Sequence, residues 1–232
     1  MPSVFSLELR RDELNERMGG GLPQNSFVLL EAPNAVGKSI LAQRFTFGLL
    51  SNNTSVTYVS TELSLSSFMN QMNSLDYGVV DKLMSDQLFF VSIFSSLGDV
   101  KQGASFIKGI LGEDRLFQKD VIIFDTFSDL LFEQNTAREY YFEILHAFKK
   151  ITSMGKTIVF CVDPERLNPT CHNLLRNISE VYLRLQIKEQ FGVMVTSLNI
   201  DRFVGAASDV TTENPFKIKA GVGIIVETAS AS

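Results

Sequence analysis

The amino-acid sequence predicts one α/β domain: a mostly parallel central sheet flanked by helices, with antiparallel strands at the C-terminal edge. Three observations predict it. Between residues 26 and 178, short and wholly apolar runs alternate with longer amphipathic stretches. That is the pattern of strands buried on both faces and joined by helical crossovers. After Ser179 the pattern changes to a period of two, the pattern of antiparallel strands with one wet face. The 232 residues, 45% apolar and 20% charged, suffice for one large core and match the balance of a globular chain.

The elements follow in order. Residues 1–25 read as a lead-in, in which residues 11–18 form one or two helical turns, stopped by Gly19-Gly20-Gly21 and followed by a turn at Leu22-Pro23. Phe27 to Leu30 is a buried strand. A helix starts at Lys38, with Leu41, Phe45 and Leu49 repeating every four residues, so that one face is buried. Val56 to Val59 is the next strand, and Ser64 is the N-cap of the helix after it. Leu88 to Val91, Val121 to Phe124 and Thr157 to Val162 are further strands, with helices over 104–111 and 137–154. The latter carries Tyr141, Ile144, Leu145, Phe148 and Ile151 on one face and is closed by Gly155. Residues 179–232 form a β extension, in which Val181, Leu183, Leu185 and Ile187 alternate with polar neighbours, Val193 to Asn199 continue the period, and 223–226 add a last strand. The 19 phenylalanines predict a Phe-rich core.

Composition narrows the function classes. A net charge of −5 and the lack of a basic run argue against sequence-independent nucleic-acid binding. Cys161 and Cys171 do not make a disulfide framework, and His146 and His172 do not complete a zinc pattern with them. No segment approaches the ~18 apolar residues of a membrane span. The expected location is the cytoplasm, peripheral to the membrane only through partners.

Chemistry concentrates where strands end. Ala32-Pro33-Asn34-Ala35-Val36-Gly37-Lys38-Ser39 follows a strand and opens a helix, the context of a P-loop. Loop N–H groups and the helix start would surround phosphates. Asn34, Ala35, Val36, Gly37, Lys38, Ser39 and Ile40 are the expected nucleotide-binding residues. Lys38 faces the β- and γ-phosphates, and Ser39 gives its hydroxyl to Mg²⁺. The expected cofactors are ATP and Mg²⁺, since no Asn-Lys-x-Asp motif reads guanine. Asp125, after four apolar residues, reads as a Walker B acid bonded to Ser39 or to metal-bound water, with Ser39 and Asp125 as the metal pair; it also reads as an N-cap. Glu62, in Ser60-Thr61-Glu62, reads as a base for water attacking the γ-phosphate or as a strand-end surface acid. Asp163 reads as a turn residue before it reads as a phosphate-side group.

The triple-glycine lead-in, the loop at Lys38 and Val56-Thr57-Tyr58-Val59-Ser60-Thr61-Glu62-Leu63 resemble the RecA/KaiC-type ATPases, and within them the FlaH (ArlH) family of the archaellum, the archaeal motility motor. The resemblance covers nearly the whole chain. It implies a single RecA-like P-loop domain that binds ATP and forms a homo-oligomeric ring. It also implies docking on the motor's secretion-type ATPase, FlaI, and its membrane platform protein, FlaJ, with Glu62 in the place of the catalytic glutamate. The chain departs from the family pattern at Ala32 and Ala35, where glycine is usual, and at Val36, where threonine is. These departures, with Asp163, favour slow turnover and a switch-like role. The competing readings are a true ATPase motor, a RecA-like nucleic-acid ATPase and a clock-like kinase. Arg202 reads as a surface arginine or as a group reaching a neighbour's phosphates.

Overall fold

The computed structural model describes residues 3–93, 104–128, 138–190 and 192–226. The predicted helix start at Ala137 lies outside them. The N-terminal segment holds β1 (Val4–Phe5), a single helical turn α1 (Leu14–Arg17) and β2 (Leu22–Pro23). Leu22-Pro23 is therefore a strand, paired antiparallel with β1, where the sequence suggested only a turn. Gly21 permits this pairing. It sits at φ 133°, and a Cβ there would lie 2.1 Å from the Phe5 carbonyl oxygen.

The main sheet has nine strands. β3 (Phe27–Glu31), β4 (Val56–Ser60), β5 (Leu88–Ser92), β6 (Val121–Asp125) and β7 (Thr157–Val162) form where apolar runs predict them. β8 (Val181–Gln190), β9 (Val193–Phe203), β10 (Glu213–Lys219) and β11 (Gly223–Val226) make up the C-terminal extension. The spatial order is β11-β10-β9-β8-β3-β7-β6-β4-β5. Strands from β8 to β5 in that order run parallel, and β9, β10 and β11 add antiparallel beyond β8. The chain from β3 to β4 passes over two strand positions, so the carboxyl ends of β3, β4 and β6 open on one crevice, the usual ligand position in such sheets.

Helices cover both faces. α2 (Lys38–Ser51) and α3 (Leu65–Ser74) follow β3 and β4, and a short α4 (Val80–Met84) precedes β5. α5 (Ala104–Leu111), α6 (Arg138–Ser153) and α7 (Pro169–Ile178) complete the set. Ser64 caps α3 as expected, accepting from the Ser67 N–H at 3.2 Å. Tyr141, Ile144, Leu145 and Phe148 of α6 are buried, and Gly155, at φ 96°, turns the chain out of the helix. The Phe-rich core lies here: Phe27, Phe124, Phe127, Phe148 and Phe160 interlock on one face of the sheet.

Two expectations change. α2 is buried on nearly all sides, with Gln43, Arg44 and Thr46 enclosed as fully as Leu41, Phe45 and Leu49. The reason is the lead-in, which packs Leu7, Leu14, Met18 and Leu22 into the same core as α2. Arg44 joins the two: its guanidinium meets the Asp12 carboxylate at 2.6 Å and donates to the Leu7 carbonyl at 2.9 Å, and neither charged side chain is exposed. Second, α4, α7 and β10 form where the periodicity marked no element.

An ion pair removed from water gains stability only while both partners remain. Asp12→Ala should therefore cost about 3–5 kcal/mol of unfolding free energy in urea titrations. Glu143→Ala breaks the exposed pair with Lys108 and should cost less than about 1 kcal/mol. Equal losses would mean that the lead-in unfolds independently of the core.

Candidate functional site

A cleft of about 240 Å³ opens at the carboxyl ends of β3 and β4, lined by Pro33, Asn34, Ala35, Gly37, Lys38, Ser39, Ile40, Glu62 and Gln71. The loop between β3 and α2 builds its floor. Ala35 sits at φ 63° and Gly37 at φ 101°. These two left-handed residues turn the loop tightly before α2, and turns of that kind can present successive N–H groups to an anion. Gly37 is required here, since a Cβ would also press within 3.2 Å of the Ile218 Cδ1. Ala35 holds the same region at a cost on the order of 1 kcal/mol. Ala32 is an unstrained substitution: it is buried, and its N–H donates to the Val162 carbonyl at 3.1 Å. Val36 contributes only backbone to the loop, because its side chain is part of the hydrophobic core beneath α2.

Lys38 begins α2 and is only 5% exposed, yet it has no ion pair or side-chain hydrogen bond among the described residues. Its neighbour Ser39 donates its hydroxyl to Asp125 Oδ1 at 3.0 Å. Asp125 does not line the cleft. It lies under Ser39, fully buried, where the Tyr58 hydroxyl donates to its other oxygen at 2.8 Å. Burial pushes the Asp125 carboxyl above its ordinary value, against the hydrogen bonds from Tyr58 and Ser39 and the nearby Lys38 charge. Burial, and then the Asp125 charge, push the Tyr58 phenol well up, so it remains a donor. Asp125 is thus no N-cap; it is the acid that Ser39 was expected to meet.

Glu62 reaches the cleft through two hydroxyls. Ser60 Oγ accepts from the N–H groups of Glu62 and Leu63, turning the chain after β4. Thr61 donates its hydroxyl to the Asp125 and Thr126 carbonyls, pinning the end of β4 to the end of β6. Between these anchors Glu62 stays exposed on the cleft wall.

The structure separates two other residues from the cleft. Asp163 is buried and caps a 3₁₀ turn by accepting from the Glu165 N–H at 3.0 Å, as the turn reading expected. Arg202 is exposed at the surface, as the plainer reading expected. Its guanidinium donates to the Arg176 and Ser179 carbonyls and so caps the end of α7. The sequence reading missed Tyr58, Gln71 and a third group: Glu31, buried just before the loop, bonded to His172 Nε2 and to the Tyr182 hydroxyl, each at 2.6 Å. The last group clamps α7 to the root of the loop. A strand-end acid facing an apolar run, as Glu31 does, was the signal available.

A lysine without an ion pair among the described residues, a tightly turned loop before a helix start and a hydroxyl–carboxylate pair together fit a polyphosphate and a divalent cation. The cleft is smaller than the about 300–1,000 Å³ of pockets that enclose a drug-sized ligand, so it suits the phosphates of a nucleotide more than its base.

Known proteins resemble this chain over nearly its whole length. A family model described as "ATPase: KaiC" matches residues 12–231. The archaeal flagellar ATP-binding protein FlaH of Methanocaldococcus jannaschii is 34% identical over 227 residues, 97% of each chain. Its counterpart from Methanococcus voltae is 33% identical over 97% of this chain and 98% of that protein. The crystal structure of the flagellar accessory protein FlaH from Methanocaldococcus jannaschii superposes with a TM-score of 0.89 at 31% identity, covering 98% of this chain and 100% of the other. A KaiC-like protein from Pyrococcus horikoshii shares the fold, with a TM-score of 0.74 at 16% identity over 98% and 99% of the chains. The fold is accordingly the single RecA-like α/β domain, with its antiparallel C-terminal edge.

The buried Asp125 sets a pH dependence. Its folded value lies above its unfolded value, so the unfolded chain ionises first as pH rises, and stability falls through that window. In nucleotide-free, metal-free protein, Asp125→Asn removes this loss. Its stability relative to wild type should rise from about pH 4 upward and plateau above the raised folded value. Urea titrations across pH check it. A wild type that instead gains on the variant with rising pH would mean that hydrogen bonding outweighs burial.

Proposed function

The chain belongs to the FlaH family of KaiC-type ATPases, and on that premise we propose that it binds ATP with Mg²⁺ at the Lys38 cleft and works as a nucleotide-dependent switch in the archaellum motor. The observation that carries this reading is Lys38: a lysine only 5% exposed, lining the cleft beside the loop, with no ion pair or side-chain hydrogen bond among the described residues. Phosphate oxygens at that point would give the ammonium charge-assisted hydrogen-bond partners. Asn34, Ala35, Val36 and Gly37 would supply backbone around the phosphates, with Ile40 closing the wall at the helix start. Ser39 would turn its hydroxyl oxygen to Mg²⁺. Asp125 would accept from Ser39 or from the ion's water, and the metal charge would favour its ionised form. When bound, Mg²⁺ would neutralise the charge of the terminal phosphates.

Glu62 is the candidate base. It lines the same cleft as Lys38, where a carboxylate can take a proton from attacking water. Strain at Ala35 and the absence of Asp163 from the cleft favour slow turnover, so that binding itself carries the signal. The flagellar names of the relatives support assignment to the motor. We assign it to the cytoplasmic face of the membrane, as a homo-oligomeric ring docked on FlaI and FlaJ. No helix among the described residues is long and apolar enough to cross a membrane. The second reading, a genuine ATPase, is favoured by the exposure of Glu62 to the cleft.

Lys38→Ala should weaken Mg·ATP binding at least tenfold in calorimetry, about 1.4 kcal/mol; unchanged affinity would remove the cleft as the phosphate site. Glu62→Gln should abolish hydrolysis while leaving ATP binding and ATP-promoted self-association intact, read by phosphate release and sedimentation. Loss of self-association together with hydrolysis would replace the switch with the ATPase reading.

A further inference from the structure

Gln71 lies on α3 and shares the cleft wall with Glu62. Its Oε1 accepts from Gln43 Nε2 at 2.6 Å. Gln43 is fully buried one helical turn after Ser39, and its own Oε1 has no hydrogen-bond partner. This pairing decides which end of Gln71 meets the cleft. The reverse orientation would seal an unpaired NH₂ on Gln43 inside the protein, and orphaned buried N–H groups are rarer than under-satisfied carbonyls. With Oε1 held, the Gln71 NH₂ remains, and it makes no hydrogen bond among the described residues. A side chain anchored at its carbonyl, with two donors left over, is fitted to an anion.

We propose that Gln71 donates to the terminal phosphate of the bound nucleoside triphosphate and distinguishes it from the diphosphate; this rests on the reading of the Lys38 cleft as the phosphate site. The loop and Lys38 line the cleft together with Glu62, the candidate base for water attacking the last phosphate, and Gln71 lines it too. A diphosphate leaves Gln71 without its acceptor. The signal has a physical route onward. At the end of α3 the Ser74 carbonyl accepts from the Gly221 N–H at 2.8 Å, and just beyond it the Tyr77 hydroxyl accepts from the Ile224 N–H at 2.9 Å. The last turn of α3 is therefore tied to the turn between β10 and β11 and, through Gln71 in that same turn, would be tied to the triphosphate. A ligand shifts such an element only by its differential affinity for the two states, and this contact supplies one.

Calorimetry with Mg²⁺ and either ADP or a non-hydrolysable ATP analogue tests it in wild type, Gln71→Ala and Gln71→Met, the last keeping the bulk without the donors. Both variants should bind the analogue about tenfold more weakly, the scale of a hydrogen bond to a charged group, and ADP within twofold of wild type. Equal loss for both nucleotides would mean a structural role, and unchanged affinity for both would mean no contact; either result overturns the proposal. If wild type and Lys38→Ala bind the analogue equally, the cleft reading itself fails. If Lys38→Ala loses binding but Gln71 variants keep the wild-type ratio of analogue to ADP affinity, the assignment of Gln71 alone is wrong.

Discussion

A carboxylate sealed from water organises this end of the molecule. Asp125 would be expensive to ionise alone, so the fold surrounds it with donors: the Ser39 hydroxyl from the start of α2 and the Tyr58 hydroxyl from β4. Three elements that are distant in the chain must therefore stop at one depth. The registers make that possible, with Tyr58 beside Ile123 and Ser60 beside Asp125, so that Tyr58 and Asp125 share a face two residues apart. Thr61 then locks the two strand ends together from above. Lys38, Ser39 and Glu62 inherit their positions from this arrangement.

The same economy explains why much of the chain was readable and some was not. β3, β6 and β7 are nearly continuous apolar runs and β4 is buried throughout, because helices cover both faces of the sheet, and such runs announce themselves locally. The loop at Lys38 is local too, a strand, a turn and a helix start within a dozen residues. β10 was missed because Pro215 sits inside it, and proline argues against an interior strand. α7 carried a legible start, Asn168 as N-cap with Pro169 after it, but its interior mixes Thr170, His172 and Asn173 with apolar residues. The burial of α2 on nearly all sides could not be read from α2 itself, since the lead-in that covers it is encoded some thirty residues earlier and joined through Arg44 and Asp12.

Within the site, the residues found from the sequence are those set by the loop and strand ends. The ones missed act across the chain. Gln71 meets Gln43 from 28 residues away, Tyr58 meets Asp125 from 67, and Glu31 meets His172 and Tyr182 from 141 and 151. No window of sequence contains such pairs. The two missing glycines also proved unequal: Ala32 sits in ordinary backbone, whereas Ala35 alone carries the left-handed conformation. Counting departures from a motif therefore overstates the damage, and the backbone angle at each position decides it.

The central claim is that this cleft holds a nucleoside triphosphate together with a divalent cation. The most direct measurement is a calorimetric titration of the wild-type chain with ATP, in excess Mg²⁺ and again in a chelator. The account predicts one site per chain, with clearly tighter binding in Mg²⁺, because Ser39 and Asp125 then engage the ion while Lys38 engages the phosphates. Absence of binding in both conditions, or affinity indifferent to Mg²⁺, would contradict it.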